Sequence, residues 1–147
     1  MIGAAPGSVE LPTAMRAAIL DHCRRGLPNE ACGLIAGDAA WTDGGRAARW
    51  LPARNALASP HRYELHAEDL IRLTLDIDAA DQVIWAIVHS HVGSAAVPSK
   101  TDLREARHPE ALQIVVALAP AVGGSDGAAI RAWRVRDGGL EELELIG

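Results

Sequence analysis

The sequence predicts an α+β domain in which helices flank a curved, mixed β-sheet. Three observations carry that expectation. Apolar, branched runs of strand length recur between Gly-rich turns. Two longer stretches place apolar residues at helical spacing instead. Across 147 residues there are no repeats, charge blocks or linkers, so one domain accounts for the chain.

Residues 1–10 are read as a flexible N-terminal segment, Gly, Ala and Pro-rich up to Gly7, and residues 11–147 as the domain. Leu11 to Arg25 reads as the first helix, with Leu11, Met15, Ala18, Ile19 and His22 on one face and Gly26 and Pro28 as stop signals. Asn29 to Gly37 is a short apolar strand, and Asp43-Gly44-Gly45 turns it toward a hairpin partner within Ala39 to Leu51. After a loop at Asn55 to Pro60, Arg62 to Leu65 reads as a brief strand. A second helix opens at His66, with Ala67, Leu70, Ile71, Thr74 and Ile77 at helical spacing. Val83 to Val88 is a buried central strand, and a third helix starts at Ser99. Leu112 to Leu118, Ala128 to Val135 and Leu140 to Leu145 close the chain as strands, with turns at Gly123-Gly124 and Gly138-Gly139.

Composition narrows the function. A formal charge of −5 leaves no basic stripe to neutralise phosphates, which argues against nucleic acid as a partner. No apolar run approaches the length of a membrane span, and Met1 to Glu10 lacks the features of a signal peptide. Cys23 and Cys32 form no Cys-x-x-Cys pair, which suits a reducing cytoplasm. With no Phe, the core must be built from aliphatic residues and four Trp.

The central strand ends in His89-Ser90-His91, and seven residues later comes Ser99-Lys100-Thr101-Asp102. Residues two apart on a strand share a face, so His89 and His91 project together while Ser90 points away as a packing or hydrogen-bonding residue. Ser99 and Asp102 have the spacing of a helix N-cap and its first turn, where the helix dipole keeps a carboxylate ionised. Two imidazoles and one carboxylate suit zinc with a fourth position open. Alone, Ser-x-x-Asp is an ordinary capping box. The five fixed residues together are expected by chance on the order of 10⁻⁵ times over the chain, which favours the metal reading.

Glu30-Ala31-Cys32-Gly33-Leu34-Ile35, taken with His-Ser-His-x7-Ser-x-x-Asp, resembles the JAMM (MPN-plus) metalloproteases. The loop Asn55-x-x-x-Ser59-Pro60-x-x-Tyr63 resembles a segment of its small prokaryotic members, and the likeness runs from about Leu11 to the C-terminus. The form of the metal motif is most similar to Mec-type bacterial hydrolases, which remove a cysteine from the C-terminal Gly-Gly of the ubiquitin-like sulfur carrier CysO. The resemblance implies a cytidine-deaminase-like α/β/α sandwich with His89, His91 and Asp102 as zinc ligands. Glu30 would be the general base and then the acid, and Ser99 the residue that holds the developing oxyanion. Val92 stands where many relatives have Pro, which bears on substrate preference more than on the metal.

The implied activity is hydrolysis after the Gly-Gly tail of a ubiquitin-like sulfur-carrier protein, releasing cysteine. Two alternatives stay open: an isopeptidase that frees ubiquitin-like modifiers from lysine, and an inactive, metal-bound scaffold. Among the remaining candidates, Cys23 and Cys32 read as core, His61 and His66 as surface, and His108 as a helix-end residue. Asn55 and Ser59 line the groove or simply form turns.

Overall fold

The computed structural model describes residues 7–104, 108, 110–118, 129–136 and 139–147. In chain order they form β1 (Ser8–Glu10), α1 (Thr13–Gly26), β2 (Cys32–Gly37), a 3-10 turn (Trp41–Asp43), β3 (Ala47–Ala53) and α2 (Ala67–Ala79). Then come β4 (Val83–His91), α3 (Lys100–Arg104), β5 (Leu112–Ala117), β6 (Ala129–Arg136) and β7 (Gly139–Ile146). The seven strands make one sheet in the order β1-β7-β6-β5-β4-β2-β3. It is mixed: β4 pairs parallel with β5 and β1 parallel with β7, while the other neighbours are antiparallel.

Strand alternation explains the layers. Ile35 and Val88 face α1 and pack with its Ile19 and Cys23, together with Trp85, Ile114 and Val116. Their chain neighbours Leu34 and Ile87 face the other way and pack with Leu73 and Ile77 of α2. The expected helix–sheet–helix arrangement is therefore present. Trp85, the largest fully buried side chain, donates Nε1–H to the Gly45 carbonyl at 2.9 Å and so fixes the turn before β3 to the central strand. One edge of the sheet is β3, and an edge strand tolerates a residue without an N–H such as Pro52.

Several expectations need correcting. Ser8–Glu10, expected within the flexible N-terminal segment, forms β1, with Val9 buried against the core. Arg62 to Leu65 is not a strand: a single bridge joins Leu65 to Asn55, the Ala56 N–H bonds the Glu64 carbonyl, and the Asn55 side chain bonds the Arg62 carbonyl and the Glu64 N–H. The buried positions of α2 are Asp69, Leu73 and Ile77, whereas Ile71 and Thr74 are exposed. Apolar residues at 70, 71, 73, 75 and 77 cover most of that helix's circumference, so periodicity alone did not choose the face. Ala18 of α1 is likewise exposed, and Cys23 takes the buried position. The turn at Gly123-Gly124, the residues before Gly7, Ala128, Pro109 and Gly138 lie outside the described residues. Among the described residues, no helix is long and apolar enough to cross a membrane.

Candidate metal centre

His89 and His91 end β4 on the face shared with Ile87, the side covered by α2. Both are buried, at 0% and 5% exposure. Asp102 reaches them from the first turn of α3, and a reciprocal cap places it there. Ser99 donates its backbone N–H to Asp102 Oδ2 at 2.7 Å, and Asp102 donates its N–H to Ser99 Oγ at 3.0 Å. The loop ahead of this helix is tied to the sheet, since Trp133 Nε1–H bonds the Ala96 carbonyl at 2.8 Å.

The three side chains converge. His89 Nε2 and His91 Nε2 lie 3.0 and 3.2 Å from Asp102 Oδ2 and 3.2 Å from each other. His91 Nδ1 lies 2.8 Å from the Ala95 carbonyl, which can only accept, so the neutral ring carries its hydrogen on Nδ1 and presents an Nε2 lone pair to the cluster. Two imidazole nitrogens and a carboxylate oxygen, all within 4.8 Å of one another, fit a divalent metal ion.

The electrostatics agree with that chemistry. Burial pushes His89 toward its neutral form, against the pull of Asp102. Burial also opposes protonation of His91, but the Asp102 carboxylate and the Ala95 carbonyl outweigh it and raise its pKa. Asp102 is partly buried, which alone would raise its pKa; the two imidazoles and the Ser99 N–H hold it well below the usual carboxylate range. The carboxylate is therefore ionised at neutral pH.

Glu30 sits just before β2 at 6% exposure. Burial pushes its carboxyl up to about 7, with His91 pulling the other way and Asp102 adding to the rise. Its backbone is held from both sides. Glu30 N–H bonds the Ser59 carbonyl at 2.8 Å, and the Glu30 carbonyl accepts from Asn55 Nδ2 at 3.0 Å. The next residue, Ala31, donates its N–H to Ser90 Oγ at 2.8 Å and accepts the Ser90 N–H at 2.9 Å. Ser90 thus turns away from the cluster and clips the Glu30 segment to the metal strand.

Beside Asp102 runs a groove of about 360 Å³, lined by Leu34, Leu57, Tyr63, Leu70 and Ile87 among others. His108, read from sequence as a helix-end residue, also lines it. The cysteines are inert by burial, which pushes the thiol of Cys23 up to about 11 and that of Cys32 up to about 12. His61 is exposed, and His66 precedes α2 beside Arg54.

Residues 12–136 match Prok-JAB, the prokaryotic homologs of the JAB domain. The chain belongs to the Prok-JAB family. The CysO-cysteine peptidase of Mycobacterium tuberculosis is 33% identical over 125 residues, covering 85% of this chain and 81% of the relative. The desampylase of Haloferax volcanii is 34% identical over 106 residues, covering 69% and 74%. A solution structure of a protein from Desulfitobacterium hafniense superposes with TM-score 0.79 at 26% identity, covering 94% of this chain and 91% of that one. A JAB1/MPN domain protein from Archaeoglobus fulgidus shares the fold at TM-score 0.54 and 16% identity, covering 95% and 99%.

Two features of this Prok-JAB site escaped the sequence reading. Tyr63 stacks on His89, with ring centroids 4.4 Å apart and planes 15° from parallel. The loop motif Asn55-x-x-x-Ser59-Pro60-x-x-Tyr63 includes this residue, the only Tyr of a chain without Phe, but nothing in that motif placed its ring on His89. Asp69, buried on α2, accepts the Arg54 N–H at 2.8 Å and two guanidinium bonds at 2.9 and 3.0 Å, anchoring the end of β3 next to the Asn55 loop.

Proposed function

We propose that this protein is a zinc-dependent metallopeptidase that cleaves after the C-terminal Gly-Gly of a ubiquitin-like sulfur-carrier protein and releases cysteine. The observation that carries the reading is the convergence of His89, His91 and Asp102 within 4.8 Å, with Glu30 buried close enough to feel two of them. His89, His91 and Asp102 would hold the ion. When bound, zinc supplies a Lewis acid that polarises a carbonyl and lowers the pKa of water to roughly 7. Neither cysteine is available as a nucleophile, because both thiols are buried and un-ionised.

Glu30 takes a proton from the attacking water at its carboxylate and hands it to the leaving amine. Burial raises its carboxyl above the ordinary range in the metal-free protein, the direction that favours both halves of that transfer near neutral pH. Ser99 Oγ already accepts the Asp102 N–H, so its hydroxyl hydrogen is the part available to the oxyanion that develops on the scissile carbonyl. The groove beside Asp102 combines aliphatic side chains with Arg62, Tyr63, Glu64 and His108, a lining that can take an extended tail. The 33% identity to a CysO-cysteine peptidase supports a sulfur carrier as the substrate class. The buried free thiols are consistent with a cytoplasmic setting.

A second reading follows from the 34% identity to a desampylase: removal of ubiquitin-like modifiers from lysine side chains. The deciding experiment is mass spectrometry of a carrier ending in Gly-Gly-Cys, incubated with this protein with and without a chelator. Loss of one cysteine, abolished by chelation, is the expected result. Faster cleavage of a Gly-Gly-lysine isopeptide would favour the second reading. A zinc-loaded protein that cleaves neither would leave the metal-bound scaffold.

A further inference from the structure

The two imidazoles of the centre are oriented by different means. His91 is fixed by the hydrogen bond from Nδ1 to the Ala95 carbonyl, 2.8 Å long. The corresponding nitrogen of His89 is buried and has no hydrogen-bond partner among the described residues, so no such bond from them sets the rotation of that ring. What lies against its face is Tyr63, stacked at 4.4 Å and 15°, while the His91 ring meets it edge-on at 5.0 Å and 61°.

Asn55 holds the chain around Tyr63 in place. Asn55 Nδ2 donates to the Arg62 carbonyl at 3.0 Å, and Asn55 Oδ1 accepts the Glu64 N–H at 3.1 Å, gripping the chain on either side of Tyr63. The same Nδ2 donates to the Glu30 carbonyl at 3.0 Å, and the same Oδ1 accepts the Leu57 N–H at 3.0 Å. A carboxamide has two N–H donors and one oxygen with two acceptor sites, and here all four are used. Asp in this place would turn the two donors into an acceptor aimed at two carbonyls. Ala would supply none of the four bonds.

We propose that Asn55 and Tyr63 form one positioning unit, in which Tyr63 sets the plane of the His89 ring and Asn55 locks that ring-bearing segment to the backbone of Glu30. The inference rests on the metallopeptidase reading but concerns a different property, the geometry imposed on the ion site from outside it. A residue acting through a metal ligand in this way is worth 10–100-fold in metal affinity or activity.

The test measures zinc affinity of the metal-free protein by competition with a chromophoric chelator, with thermal melts alongside, for Tyr63→Phe, Tyr63→Leu, Asn55→Asp and the Asn55→Asp/Tyr63→Leu pair. Tyr63→Phe keeps the stacked ring and should stay within about twofold of wild type, whereas Tyr63→Leu should bind about 10–100-fold more weakly. The double variant should match Tyr63→Leu in zinc affinity, because both changes act through one ring. In kcat on the Gly-Gly-Cys carrier it should fall below Tyr63→Leu, because Glu30 has also lost a tether. A folded Tyr63→Leu protein with wild-type zinc affinity overturns the proposal. So does Tyr63→Phe binding as weakly as Tyr63→Leu, or strictly additive losses in the pair. A wild type that binds zinc but cleaves no carrier removes the substrate reading and leaves this inference to be decided by the affinities alone. A wild type that takes up no zinc removes both.

Discussion

Replacing Glu30 with Gln should stabilise the fold while ending turnover, and the pH dependence of that gain follows from the burial of the side chain. Glu30 is 6% exposed, and burial is the leading reason its carboxyl rises from 4.5 to about 7. Below pH 4.5 the group is neutral both in the folded protein and in the unfolded chain, so it contributes nothing to the pH dependence. Between 4.5 and 7 the unfolded chain has released a proton that the folded protein still holds. Stability therefore falls as pH rises through that window, and the penalty is complete above 7. At about 1.4 kcal/mol per pH unit, the gap amounts to about 3 kcal/mol. Gln cannot ionise, so its advantage over Glu should be near zero at pH 4.5 and approach that figure by pH 8. Urea unfolding of the metal-free proteins at a series of pH values reads this directly. A Gln-minus-Glu difference that stays flat from pH 4.5 to 8 would refute the placement of a carboxylate in a desolvated site. In the same variant, zinc should be retained and cleavage lost; unchanged cleavage would remove Glu30 from the mechanism.

Other outcomes are equally specific. Ser99→Ala should lower kcat by about 10²–10³-fold, the usual worth of one oxyanion donor, and should cost about 0.5–2 kcal/mol in urea unfolding through the lost cap. Asp102→Ala should abolish cleavage and zinc uptake together, since it removes the carboxylate that lies within 3.2 Å of both imidazoles; zinc bound as tightly as in wild type would exclude it as a ligand. The Arg54 guanidinium, and then the Arg54 backbone N–H, hold the Asp69 carboxyl well below the usual carboxylate range. That stability is present above the ordinary carboxylate pKa and is lost as pH falls through the lowered one. Asp69→Ala should accordingly cost about 1–3 kcal/mol at pH 7 and flatten the acid limb of the unfolding curve; an unchanged acid limb would count against the pair.

What could be read in advance was what local rules determine. The paired projection of His89 and His91 follows from strand alternation, and the meeting of Ser99 with Asp102 from capping geometry; both operate over a few residues. The hydrophobic runs located most of the strands for the same reason. Long-range pairing was another matter. β1 pairs with β7 from the far end of the chain, and three residues carry too little pattern to announce such a partner. Arg62 to Leu65 has the alternation of a strand, yet the Arg62 carbonyl and the Glu64 N–H are satisfied by one asparagine side chain, a partner that periodicity does not register. Asn55 and Ser59 were recognised as a loop motif. Their hold on Glu30 could not be seen, because it depends on the three-dimensional course of a loop between β3 and α2.

All three candidate ligands fall within residues 89–102, two on one strand and one at a helix start, whereas Glu30 arrives from a separate hairpin. On the proposed reading, ion capture and proton transfer are therefore carried by separate segments, and one substitution at Glu30 should silence the second without touching the first. A protein changed only at Glu30 would keep its groove and its ion and lack the means to finish the reaction. It would act as bait, holding the partners that the intact protein releases, and those partners could be recovered and sequenced.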